Sequence, residues 1–132
     1  MIPEYLMDNY YAKTNRMDIV PSLQQIKQAI LNHPDKIIIV RDGKIKGISF
    51  YFKLTDATYQ RLETLDIRDI EVLKSMAQEN GENFYFVLMV ADGYKTMRIM
   101  HSRLLKLKPK TFSWWNPDMN KLHKYEVKIC RS

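Results

Sequence analysis

The pentapeptide Asp92-Gly93-Tyr94-Lys95-Thr96 stands where an unbroken apolar run, Phe84 to Ala91, gives way to a basic stretch with helical spacing. A strand that ends near a glycine and feeds a helix leaves several N–H groups unpaired at the helix start. The helix dipole adds partial positive charge there, and a residue without a side chain lets a ligand approach the backbone. Lys95 and Arg98 add formal charges beside those amides. The chemistry this pattern serves is the binding of a phosphate or pyrophosphate. The competing reading is a plain turn glycine followed by a solvated, Lys-rich helix face. The segment is not a P-loop, which needs a longer glycine-rich loop before its Lys-Thr pair, and no GxGxxG dinucleotide fingerprint occurs.

Other residue types offer less. His33, His101 and His123 have no metal-ligand spacing, and the single cysteine, Cys130, has no partner for zinc or for an internal disulfide. His101 falls within an apolar helical arc and is expected to pack. His123 and Tyr125, two apart in a strand, share a face. Glu63, Asp66, Asp69 and Glu71 are potential carboxylate bases, but their number fits a solvated face. Trp114 and Trp115 point to opposite sides of a strand, so one is expected buried and the other free to line a groove or stack on a base.

The elements that must position these residues follow from periodicity. A loose helix is expected within 3–15. A second begins at Ser22, with Gln25 at capping-box spacing, and stops at Pro34. Strands at about 36–41 and 44–54 flank Asp42-Gly43, a strong hairpin signal. Ile67, Ile70, Leu73 and Ala77 share a helical face, which predicts a helix near 67–79 that ends at Asn80-Gly81. Phe84 to Ala91 reads as a central strand covered on both faces. From Tyr94, the spacing puts Tyr94, Met97, Met100, His101, Leu104, Leu105 and Leu107 in one inward arc, with Pro109 ending the helix. "KTFSWW" and "LHKYEVKI" read as further strands. This order predicts a single α/β (α+β) domain over 1–132: a mixed, mainly antiparallel, twisted sheet with helices on both faces.

Apolar content of 45% fits an ordered globule, and an apolar run of eight residues is far short of a membrane-spanning helix. The start has no basic region followed by a long apolar segment, so a cytoplasmic protein without membrane association is expected. The net charge of +6 is uneven: residues 1–93 balance at −2 and residues 94–132 at +8. Such a field favours an anionic partner near the C-terminal third, whether a phosphate-bearing small molecule, nucleic acid or an acidic protein surface.

The ordering and several segments resemble the GNAT (N-acetyltransferase) superfamily, particularly small divergent members encoded by phages and prophages. "HPDKIIIVRDGKIKGISFYF" is similar to that family's second and third strands, and "FYFVLMVADGYKTMRIMHSRLLKLKP" to its fourth strand, pyrophosphate loop and third helix. The resemblance spans roughly residues 5–130. It implies acetyl-CoA or CoA lying between the fourth and fifth strands, with Val90 and Ala91 along the pantetheine and Gly93, Tyr94, Lys95 and Thr96 around the pyrophosphate. Arg98 would add charge, and Tyr125 would be the nearest counterpart of the tyrosine that protonates the departing thiolate. The chain departs from the family pattern in its shorter loop with one glycine, in Asp92, and in the lack of a strand carboxylate. It also has little room for a helix after the family's fifth strand, where the fold is cut short.

Three functions are therefore expected in competition: an acetyl-coenzyme A-dependent N-acyltransferase, a catalytically inactive scaffold that binds a protein partner, and a nucleic-acid-binding protein that uses the basic C-terminal third.

Overall fold

Asp42-Gly43 closes a hairpin between β1 (Ile37–Asp42) and β2 (Lys44–Leu54), with Gly43 at a left-handed φ of 77° and a register shift between Val40 and Arg41. The computed structural model describes residues 33, 36–66, 69–116 and 121–127. The two expected N-terminal helices and Cys130 lie outside these residues. After β2 come α1 (Asp56–Gln60), a 3-10 turn at Leu62–Thr64, α2 (Ile70–Ala77), β3 (Asn83–Ala91), α3 (Tyr94–Lys106), β4 (Thr111–Asn116) and β5 (Lys121–Glu126). α1 and the 3-10 turn have no counterpart in the periodicity reading, because each is too short to carry an amphipathic stripe.

The five strands form one sheet in chain order. All neighbours are antiparallel except β3 and β4, which run parallel and are joined through α3. The mixed, mostly antiparallel sheet flanked by helices matches the expected architecture. Its two faces carry separate cores. Alternate β2 residues Ile48, Phe50, Phe52 and Leu54 join Leu73, Met76 and Ala77 of α2. Tyr51, Phe84 and Phe112 join Leu104 of α3 on the other side. The continuous apolar character of β3 reflects cover on both faces.

Buried polar groups tie the ends of these elements together. Asn83 Nδ2 donates to Leu54 O at 3.1 Å and to Asp56 Oδ1 at 2.9 Å, and its Oδ1 accepts from Thr111 Oγ1 at 2.8 Å. The first residues of β3 and β4 are thus fixed side by side. Glu79 accepts from the Thr55 amide and from the hydroxyls of Thr55 and Thr58, which clamps the start of α1. Lys36 is buried, and its Nζ donates to the carbonyls of Ala77 and Glu79 at the end of α2.

α3 sits rotated from its expected orientation. Met100 and Leu104 face the sheet as predicted, but their buried companion is Thr96. Tyr94, Met97, His101, Leu105 and Leu107 are exposed. The cause lies in β2: a Cβ added to Gly47 would come within 2.7 Å of both Met100 Sδ and Thr96 Cγ2. The missing side chain admits the narrow Thr96–Met100–Leu104 ridge close against the sheet, where the wider apolar arc would not fit.

Candidate functional site

β3 and β4 pair over only four positions, from Asn83↔Thr111 to Phe86↔Trp114. Beyond Phe86, β3 continues through Ala91 with no strand on that edge among the described residues, while β4 continues against β5 alone. At this parting point Val87 has no counterpart on β2, because the register passes from Tyr51↔Phe86 to Phe50↔Leu88. A bulge therefore sits at the vertex of an opening between two parallel strands. Bulges re-aim backbone groups and recur beside functional sites.

From Phe86 to Ala91 the free edge runs about 16 Å at strand rise. It leads to the N-terminus of α3. Gly93 is the N-cap, its carbonyl accepts from the Met97 amide at 3.1 Å, and no side chain caps the helix. Among the described residues, the amides of Tyr94, Lys95 and Thr96 have no partner, so they retain their capacity for an anion. The backbone of Gly93 is extended, with φ of 175°, and a Cβ there would meet nothing within 4 Å. The turn reading of this glycine thus has no backbone requirement behind it: any residue adopts that conformation. Among the described residues, what the glycine leaves is open space beside the amides.

Asp92 stands one residue before the cap. Its Oδ1 accepts from Thr96 Oγ1 at 2.5 Å, and its Oδ2 lies 3.9 Å from Lys46 Nζ. The carboxylate is thereby engaged on the β2 side and partly neutralised. The sequence carries a faint trace of this arrangement, a threonine four residues after an aspartate. The Lys46 contact is not visible at all before the hairpin is folded.

The candidate residues do not all converge. Val90 is buried in the core shared with α2, and Ala91 is half-buried at the end of the free edge. Tyr94, Lys95 and Arg98 are exposed at the start of α3, with the Arg98 guanidinium 5.9 Å from the Tyr94 ring centre. Thr96 is buried, and its hydroxyl is spent on Asp92. Tyr125 lies elsewhere. It pairs with Phe112, which pairs with Phe84, six residues before Val90 and about 20 Å away along the strand.

His123 lies closer to the opening. It pairs with Trp114 at the vertex level and stacks on that indole at 5.2 Å and 18°. Among the described residues, the His123 Nε2 and Trp115 Nε1 atoms are buried without a hydrogen-bond partner. Trp114 is partly exposed and Trp115 half-buried, in line with their opposite orientations on β4. Neither β3 nor β4 contains an Asp or Glu. Glu63, Asp66, Asp69 and Glu71 are exposed, and Asp69 caps α2 through the Glu71 amide at 2.9 Å.

A second charged feature runs along the outer flank of α3. Lys95, Arg98, Ile99, Ser102, Arg103 and Lys106 line an open groove of about 390 Å³. Among the described residues no cluster of three or more His, Cys, Asp or Glu side chains is placed to hold a metal ion. No helix among them is long and apolar enough to cross a membrane.

No protein-family model matches the chain, and no curated protein matches it.

Proposed function

We propose that this protein is an acetyl-coenzyme A-dependent N-acyltransferase with a GNAT-like fold. The observation that carries the reading is the parting of parallel strands β3 and β4 at a bulge, with the free edge of β3 leading straight to the uncapped N-terminus of α3. An elongated ligand with a diphosphate at one end and a thioester at the other suits such a track. Its pantetheine amides would bond the free edge between Val87 and Ala91. Its pyrophosphate would sit on the amides of Tyr94, Lys95 and Thr96, with Lys95 and Arg98 as flanking charges.

The thioester would then lie at the vertex, where the amide of bulged Val87 is the candidate donor to the oxyanion. An uncharged acceptor amine attacks the thioester carbonyl, a C–N bond forms, and collapse of the tetrahedral adduct breaks the C–S bond to release the coenzyme thiolate. With no carboxylate on β3 or β4, the amine proton passes to solvent. Beyond Phe86 and Trp114, which mark the vertex, the nearest ring by register that can carry a proton is His123, and it replaces Tyr125 as the candidate for returning a proton to the thiolate.

Calorimetric titration with coenzyme A tests binding, and thiol release from acetyl-coenzyme A with peptide, polyamine and nucleotide amines tests transfer. Saturable micromolar affinity with thiol release on one amine class is expected. Absence of binding by a folded protein overturns the reading. Binding without transfer to any amine leaves a coenzyme-binding scaffold, the reading favoured by the lack of a strand carboxylate.

A further inference from the structure

We infer that the outer flank of α3 docks the phosphate backbone of single-stranded nucleic acid. Lys95, Arg98, Arg103 and Lys106 face one groove of about 390 Å³ with Ser102 and Ile99, and no acidic side chain lines it among the described residues. From the first cation to the last is eleven residues, about 16 Å at helical rise, a run of several phosphates along one strand.

Two of these exposed cations have contacts of their own on the protein. Arg103 donates to the carbonyl of Ile39 on β1 at 2.8 Å, and Arg98 lies 5.9 Å from the Tyr94 ring centre. Tyr94 is 79% exposed, at the end of the groove. An exposed ring beside a cationic track is the pairing that holds unpaired bases, because each base offers a face for stacking while the phosphates follow the charges. A duplex keeps its base faces covered and gains nothing from that ring.

An acidic protein surface fits less well. Among the described residues Ile99 is the groove's sole large apolar side chain, too little to anchor a protein interface. The groove shares Lys95 and Arg98 with the proposed coenzyme track at the helix N-terminus, then leaves it through Arg103 and Lys106 along the flank nearest β1, whereas the opening lies between β3 and β4.

Fluorescence anisotropy with a labelled oligothymidylate of about 20 nucleotides tests this, with a duplex and polyglutamate of equal charge as competitors. Saturable binding is expected, with a slope of log K against log salt of about −2.8 for four neutralised phosphates. The double variant Arg103→Gln/Lys106→Gln, checked for folding by circular dichroism, should flatten that slope by about 1.4 and weaken binding roughly 25-fold at about 0.1 M salt. Tyr94→Ala should weaken the single strand by about fivefold or more and leave duplex affinity unchanged. The inference is overturned by no binding at low salt, by a double variant with an unaltered slope, by a single strand whose affinity Tyr94→Ala leaves unaltered, by a duplex that binds as tightly as the strand, or by polyglutamate that displaces the strand at equal charge. The last result would assign the groove to an acidic protein.

Discussion

Thr96 Oγ1 donates a 2.5 Å hydrogen bond to Asp92 Oδ1, and this bond ties the carboxylate that precedes α3 to a buried residue of the helix's first turn that packs toward β2. Lys46 holds the second oxygen at 3.9 Å from the β2 side. At the proposed site these contacts would lessen the repulsion between Asp92 and a pyrophosphate. Thr96→Val keeps the buried methyl and removes the donor. We expect a folded protein with coenzyme A affinity lowered about fivefold, the value of roughly 1 kcal/mol for one such hydrogen bond. Unchanged affinity in the titration would show that the carboxylate does not bear on the ligand.

Gly93 and Gly47 make a contrasting pair. Among the described residues a methyl on Gly93 meets nothing within 4 Å, so Gly93→Ala should leave stability within about 0.5 kcal/mol. Its coenzyme A affinity should fall about fivefold or more, because the methyl occupies the approach to the amides. Gly47→Ala places a methyl against Thr96 and Met100, and overpacking should cost about 1–3 kcal/mol. Urea denaturation reads both. A large loss of stability in Gly93→Ala would restore a structural role for that glycine.

Lys36 is a buried cation that serves the end of α2. Lys36→Met retains much of the aliphatic volume but leaves the carbonyls of Ala77 and Glu79 without this donor. Loss of charge-assisted bonds at a buried site should cost about 1.5–3 kcal/mol in denaturant unfolding. A change below about 0.5 kcal/mol would mean that water replaces the ammonium without penalty.

Asp56 links stability to acid. The hydrogen bond from Asn83, and then the bond and charge of Lys110 at 3.1 Å, hold its carboxyl below the ordinary value. A group depressed in the folded state stabilises above its unfolded pKa of about 3.9. That contribution fades as pH falls through the folded value. Thermal melts of the protein should therefore drop in midpoint below about pH 4 more steeply than those of Asp56→Asn. Parallel curves would remove Asp56 from the acid response.

Local chemistry in the chain was enough to place much of the fold. Asp42-Gly43 marked its hairpin, the unbroken run from Phe84 marked a strand covered twice, and Pro109 followed α3 at its end. Each signal is carried by neighbours in sequence, through backbone preference or a short periodicity. α1 has too few residues for an amphipathic stripe, and the carboxylate that braces its Thr55 cap comes from Glu79, 24 residues on. The site was legible only at one end: the strand–glycine–helix junction predicted unpaired amides, and they are uncapped among the described residues.

By itself, then, the sequence determined the elements, the alternation that covers both faces of β2 and β3, and the concentration of positive charge on α3. Tertiary structure decided how far β3 and β4 stay together, which way Asp92 turns, and which ridge of α3 meets the sheet. The physical reason is common to all three. Each depends on a contact between distant residues, such as Asn83 with Thr111, Lys46 with Asp92, or Gly47 with Met100. No preference of a single segment encodes such contacts; they exist only once packing has brought the partners within reach.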